Sequence, residues 1–305
     1  MHPIITVTLN PAIDVMDVNG RRYYFSGGKG INVARCLKRF KVPTKNIVVL
    51  GGSPGRRWQK LIAKENLPLF VILNKQPTRT NITYLDAQKN SIQRSMSPGG
   101  CADQNLALRV EAQLKKVVSR GQYVVMSGSL LPSLGADYYG HLIGIVRLKG
   151  GIPILDTSGK ALLAGIRNKP FLIKPNQEEA QHCLEGKLNS NFSLIKAVQW
   201  FKEKGAENSI ISLGKGGAVG MFDEVIHTCQ LDNMGDNFGS TVGCGDVLLG
   251  CFLAQCRAGI SRGEALRLSV AAATASMSFL KPGFFTRTQM IRHIASTGHK
   301  IMVAK

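Results

Sequence analysis

The chain has 305 residues, 44% hydrophobic and 19% charged, the balance of a globular protein with a substantial core. Its net charge of +20 is spread along the chain with no helix-turn-helix, zinc-finger or RNP-type signature, which argues against a specific nucleic-acid partner and for a surface that steers phosphorylated substrates. No apolar run reaches membrane-span length, the N-terminal MHPIITVTLN lacks a secretory layout, and the seven scattered cysteines form no C-x-x-C pair, so a cytoplasmic protein with reduced thiols, no zinc and no membrane partner is expected.

Residues 3–9 (PIITVTL) form a short β-branched run, predicted to be a buried strand that Asn10-Pro11 stops, with Asp14 in the loop beyond. Arg21, Arg22, Tyr23 and Tyr24 then lead into Ser26-Gly27-Gly28-Lys29-Gly30. Ile31, Val33, Ala34 and Leu37 follow at helical spacing, so a glycine turn bearing a lysine opens a helix. Residues 46–50 read as a strand and 58–64 as a helix. Residues 71–73, 80–85 and 91–96 read as short strands divided by polar turns, which predicts a β appendage.

From there the alternation is regular. Helices near 104–118, 137–148 and 194–204 punctuate strands at 123–126, 152–155, 171–174 and 209–213, with a further helix after Asn176. Residues 221–231 suggest a hairpin, and helices at 262–280 and 288–297 close the pattern. Repeated β-then-α units predict a single α/β domain over 1–305 with a mainly parallel sheet between helices. In such sheets ligands bind beyond the carboxyl ends of strands, here the loops at 10–14, 127–129, Asp156, 176–179 and 214–217.

The richest stretch is Ser240-Thr241-Val242-Gly243-Cys244-Gly245-Asp246-Val247, followed by an apolar helical run. Glycines at a helix start let backbone N–H groups approach an anion, and the helix dipole adds positive potential there. Asp246 among those donors reads either as a helix cap or as a general base. There is no Walker A motif and no dinucleotide-type G-x-G-x-x-G. Two glycine-rich helix starts, one bearing Asp246, suit phosphoryl transfer to an alcohol. Asn176-x-x-Glu179 reads as water-mediated magnesium ligation or as a plain helix cap, and Arg79 as a phosphate clamp or a solvated strand arginine.

The order of the motifs resembles the ribokinase-like PfkB family of carbohydrate kinases. Within it the chain is similar to the phosphosugar branch of minor 6-phosphofructokinase, 1-phosphofructokinase and tagatose-6-phosphate kinase. The likeness rests on TLNPAID at 8–14, GGKGINVAR at 27–35, Thr78-Arg79 with Asn81, and SGSL at 127–130. It continues through KPNQEE at 174–179 and SLG at 212–214 to STVGCGD at 240–246.

The resemblance implies a three-layer α/β sandwich carrying a small β lid drawn from about 15–26 and 79–98. It implies Asp246 as catalytic base, with Gly243, Cys244 and Gly245 as anion hole. Asp14, Gly28, Lys29, Asn32, Arg79 and Ser129 would bind the phosphosugar. Lys174, Asn176, Ser212, Gly214, Gly216 and Gly217 would border ATP, and Asn176 with Glu179 would serve Mg2+. The implied reaction is ATP-dependent phosphorylation of a ketohexose phosphate by a homodimer, with a kinase-derived binding or regulatory protein as the alternative.

Three departures from the family pattern matter. Cys244 replaces a usual Ala or Ser, and Val247 stands where a hydroxyl residue is usual. Only twelve residues separate Asp14 from Gly27, fewer than in relatives, so residues 15–26 read either as one lid strand in a leaky lid or as a shortened surface loop.

Overall fold

A computed structural model describes residues 2–86, 91–231 and 240–303. Its first strand, β1 (Ile4–Thr8), is buried at every position and runs parallel between two later strands. That setting explains why it reads as a β-branched run with no exposed face, its Thr6 hydroxyl donating to Asn46 Oδ1 at 2.9 Å. A hairpin follows, β2 (Ala12–Val18) and β3 (Arg21–Gly27), then α1 (Lys29–Arg39), β4 (Thr44–Gly51), α2 (Gly52–Ile62) and β5 (Leu69–Asn74). A second hairpin pairs β6 (Arg79–Asp86) with β7 (Ser91–Ser95).

The α/β alternation then runs through α3 (Leu106–Val117), β8 (Tyr123–Ser127), α4 (Tyr138–Leu148), β9 (Ile152–Asp156), α5 (Gly159–Ile166), β10 (Leu172–Ile173) and α6 (Gln177–Leu184). After α7 (Asn191–Glu203) come β11 (Asn208–Ser212), β12 (Ala218–Phe222) and β13 (Val225–Leu231). Helices α8 (Cys244–Arg257), α9 (Arg262–Ser276) and α10 (Arg287–Ile294) precede β14 (Thr297–Val303).

Among the described residues ten strands form one sheet in the order β14-β13-β12-β11-β10-β9-β8-β1-β4-β5. It is parallel from β11 to β5 and antiparallel from β11 to β14. The period-two pleat divides its side chains between two cores. Ile5 and Val7 of β1 pack with Leu114, Tyr139 and Phe201 of α3, α4 and α7, whereas Ile4 packs with Val33, Phe252 and Leu266 of α1, α8 and α9. The expected three-layer α/β sandwich is therefore present. Two elements of this sandwich went unread: α5, which is only eight residues long, and β14, which starts where a helix was expected to end.

The second sheet, in the order β3-β2-β6-β7, is the lid. Here the sequence expectation fails. The span between Asp14 and Gly27 supports two seven-residue strands, not one, because the hairpin begins at Ala12 and turns in two residues. Asn19 and Gly20 both have positive φ, 50° and 85°, as a tight type I′ hairpin requires, and Asp17 Oδ1 accepts from the Gly20 N–H at 2.9 Å. Asp14 thus sits in a strand rather than a loop, paired across to Asn81 of β6. The β5 strand, expected in the appendage, is the edge of the large sheet instead. Positions 87–90 of the expected lid lie outside the described residues.

Candidate active site

The lid and the carboxyl ends of the parallel strands enclose a cavity of about 700 Å³. All of the predicted site residues lie on its wall except Gly216, which belongs to the short 3-10 turn Gly214–Gly216. The loops named from sequence therefore converge at one place.

Gly243 makes the entry to α8 possible. Its φ is +83°, and a Cβ there would lie 2.8 Å from the Gly283 nitrogen, so glycine alone fits. In the first turn of α8 the Cys244 N–H donates at 3.4 Å to Thr241 O and the Asp246 N–H at 3.1 Å to Gly243 O, so the Gly245 N–H and the positive end of the helix dipole are what this turn offers an anion. Asp246, in that turn, is 5% exposed, and its Oδ2 accepts from Asn32 Nδ2 of α1 at 2.7 Å. Burial and the nearby Asp156 charge push the Asp246 carboxyl up to about 7, although Lys29, the Asn32 bond and Lys174 pull the other way. A carboxyl titrating near neutrality and facing a cavity has the properties of a general base.

Asp156, at the end of β9, is fully buried. Its Oδ1 lies 3.2 Å from Lys29 Nζ and 3.3 Å from Lys174 Nζ. Burial alone would raise its pKa, but the two ammonium groups bring it below the usual carboxylate range. Lys29 also lies 3.8 Å from Glu179 Oε1; burial opposes its charge, but Asp156, Glu179 and Asp246 together raise its pKa. Lys174 Nζ lies beside Gly245, 3.2 Å from where a Cβ would stand. Two fixed cations therefore flank the helix start.

Asn176 and Glu179 form a reciprocal capping box: the Glu179 N–H donates to Asn176 Oδ1 at 2.7 Å and the Asn176 N–H to Glu179 Oε2 at 2.8 Å. The capping alternative is thus realised. Glu179 Oε1 stays out of the box, toward Lys29. Among the described residues no cluster of three or more His, Cys, Asp or Glu could hold a metal directly. Magnesium keeps most of its waters and needs only one or two protein oxygens, which Glu179 Oε1 and Asn176 fit.

On the lid side, Asn81 Nδ2 donates to Asp14 Oδ1 at 3.1 Å, and burial raises the Asp14 pKa. A Cβ at Gly27 would lie 2.0 Å from Asp14 Oδ2, so glycine lets β3 close over this carboxylate. Arg79 is half-buried rather than solvated. Its Nε donates to Asn10 O at 3.2 Å and its Nη1 to Ser97 O at 2.7 Å, which among the described residues leaves Nη2 as the donor for an anion. Ser129 Oγ accepts from Asn10 Nδ2 at 3.2 Å. Asn32, expected to hold sugar hydroxyls, has its amide committed to Asp246 and to Arg35 Nη1, 2.8 Å from Asn32 Oδ1.

The departures prove mild. Cys244 Sγ accepts from Ser276 Oγ at 3.3 Å, and burial pushes its thiol up to about 11, so it stays protonated. Val247 is fully buried with Cys36 and Cys251, away from the cavity. Sequence reading missed the role of Asp156, which carries no motif spacing of its own. It also missed Arg94 of β7, whose Nη2 donates to Thr241 Oγ1 at 2.8 Å and so ties the lid to the loop before Gly243.

The chain is similar to known proteins in sequence and in fold. The family model described as pfkB family carbohydrate kinase matches residues 4–284. The chain is 30% identical to the 1-phosphofructokinase of Bacillus subtilis (strain 168), covering 90% of this chain and 92% of that one. It is also 30% identical to the ATP-dependent 6-phosphofructokinase isozyme 2 of Escherichia coli (strain K12), covering 90% and 93%. The crystal structure of phosphofructokinase-2 from Escherichia coli in complex with fructose-6-phosphate superposes with a TM-score of 0.85 at 27% identity, covering 97% of this chain and 99% of that one. With the lid, the glycine-led α8 and the buried Asp246 already in place, these matches make this chain a member of the pfkB family of carbohydrate kinases.

Proposed function

We propose that the protein is an ATP-dependent kinase that phosphorylates a hydroxyl of a ketohexose phosphate to give a bisphosphate. Fructose 6-phosphate, fructose 1-phosphate and tagatose 6-phosphate are the candidate acceptors. One observation carries the reading: a buried carboxyl poised near neutral pH, Asp246, shares the cavity wall with an anion-binding helix start and Lys29 and Lys174.

Asp246 accepts the proton of the acceptor hydroxyl as its oxygen attacks the γ-phosphorus. The new O–P bond forms, the bond to the β-phosphate oxygen breaks, and ADP leaves with that electron pair. The Gly245 N–H and the positive end of the α8 dipole stabilise charge on the transferring group, as do the Lys29 and Lys174 ammonium groups. Asn176 and Glu179 would hold magnesium through its waters, and the ion would supply positive charge to the phosphate oxygens. Arg79, with Asp14, Gly28 and Ser129, binds the phosphosugar. Ser212, Gly214, Gly216 and Gly217 would border the nucleotide, and Val270, Ala273 and Met277, on the apolar part of the wall, would offer its base a surface.

The binding-only alternative rested on a short lid and a missing hydroxyl at Val247. The β2–β3 lid hairpin and the burial of Val247 away from the cavity support the kinase reading over it. A homodimer and a cytoplasmic setting go with the kinase reading; among the described residues no helix is long and apolar enough to cross a membrane. An ADP-release assay over the three phosphosugars tests the whole proposal. Turnover on at least one, abolished in Asp246→Asn, is expected; no turnover on any overturns it.

A further inference from the structure

Asp246 is oriented by an amide, and an amide is ambiguous. Turned over, Asn32 would point Oδ1 at the carboxylate and repel it. Arg35, one turn further along α1, removes the ambiguity. A guanidinium only donates, so the Asn32 atom 2.8 Å from Arg35 Nη1 has to be the oxygen, which leaves Nδ2 for Asp246.

Arg35 is itself held on every side. It is 5% exposed, and its Nε and Nη2 fork onto Glu65 Oε2 and Oε1 at 2.7 and 3.0 Å. Nη2 also donates to the Ser26 carbonyl and hydroxyl, each at 2.6 Å, and Nη1 to Pro282 O at 3.3 Å. Glu65, just after α2, takes Lys281 Nζ at 3.0 Å as well. One guanidinium thus joins the end of lid strand β3, α1, the turn after α2 and the 281–283 loop. That loop is the one against which Gly243 packs, and a Cβ at Gly283 would meet the Asn32 backbone at 2.7 Å.

We infer that Arg35, anchored by Glu65, is a positioning residue for the phosphoryl transfer: it fixes the Asn32 amide so that Nδ2 meets Asp246 and turns the carboxylate to the cavity. The inference rests on Asp246 being the base. The charged groups around that carboxylate are Asp156 of β9, Lys29 of α1 and Lys174 after β10, with Cys36 and Cys244 facing it as neutral thiols. Replacing Arg35 touches none of them. Arg35 therefore acts through Asn32 or through its own charge, and the two are separable.

Arg35→Lys keeps the charge and loses the fork. Misplacing a reacting group by about an ångström costs up to ~10²-fold, so kcat should fall roughly 10- to 100-fold with a much smaller change in KM for the phosphosugar. The acidic limb of the kcat–pH profile should move to higher pH, because the carboxylate loses its donor. Asn32→Ala should move it the same way, and Arg35→Lys should add nothing in that background. A limb that stays put in Arg35→Lys, or a shift that persists without Asn32, overturns the inference. If Arg35→Lys fails to fold, Glu65→Gln enters the same cycle: a kcat loss that vanishes with Asn32→Ala supports the inference, and one that persists overturns it. Asp246→Asn run alongside separates the two readings, since only retained turnover there removes the base itself.

Discussion

The Lys29 ammonium lies 3.2 Å from the Asp156 carboxylate, which also holds Lys174, so one buried group sets where two cavity charges stand. Asp156 also raises the Asp246 pKa by its charge. Asp156→Asn should therefore shift the acidic limb of kcat to lower pH, the opposite of Arg35→Lys. Lys174, whose side chain is 4% exposed, would lose its counter-charge, a change that costs about 3–5 kcal/mol when a buried pair is broken. A pH–rate profile and denaturant unfolding of the variant measure both effects.

Asp246→Asn should cut kcat by about 10²–10⁴-fold, the usual worth of a general base. It should also stabilise the protein. The folded-state pKa stands near 7 against 3.8 for the free side chain, so the folded state binds more protons between those values and loses stability as pH rises through them. The variant should melt higher than the parent above neutral pH, with the gap closing toward acid. Thermal melts across pH, paired with single-turnover kinetics, check this.

Arg79→Ala should hurt use of a phosphosugar more than use of the same sugar without phosphate. A charge-assisted contact is worth on the order of 1.5–3 kcal/mol, or roughly a tenfold to hundredfold loss in the ratio of kcat/KM values. Since Nε and Nη1 hold Asn10 O and Ser97 O, some loss on both acceptors is expected too. Equal losses on both would confine Arg79 to bracing the lid.

With a complete hairpin, the lid should couple ATP use tightly to sugar phosphorylation. Arg94→Ala removes the 2.8 Å bond to Thr241 that spans the cavity mouth. At about 0.5–1.5 kcal/mol for such a bond, sugar-independent ATP hydrolysis should rise roughly two- to tenfold. ADP release with and without phosphosugar, parent against variant, is the measurement.

The net charge of +20 should give only non-specific nucleic-acid binding, at about 10⁻⁴–10⁻⁶ M and strongly salt-dependent. Fluorescence anisotropy with duplex and single-stranded probes tests it; nanomolar, sequence-preferring binding is the contrary result.

Much of this was legible in the sequence because it is local. Gly243, Gly245 and Asp246 announce a helix start bearing an acid, and the β-branched runs of β1 and β8 mark buried parallel strands. Asp14 was misplaced because Asn10-Pro11 ends one strand and, one residue later, Ala12 opens another in a different sheet. A polar residue on the inner face of a lid looks like a loop when the lid itself is unseen. The lid hairpin was undercounted because its turn takes only Asn19 and Gly20. Asp156 reaches Lys29 across 127 positions, Arg94 reaches Thr241 across 147 and Arg35 reaches Pro282 across 247, which no spacing rule covers; the three-residue step from Arg35 to Asn32 is local, but nothing in it marks a link to Asp246.

Asn32 meets Asp246 across 214 positions, and β1 lies inside a sheet whose other strands are made later. Such long-range pairing slows folding, because loop closure has to precede the contacts that reward it. On the ribosome, a chain still lacking α8 already carries the lid strands, Lys29 and Lys174 but not Asp246. With Asp246 as the proposed base, such a chain should turn over no ATP. Phosphoryl transfer should then report on completed folding, and a fragment ending before α8 should stay silent rather than hydrolyse nucleotide.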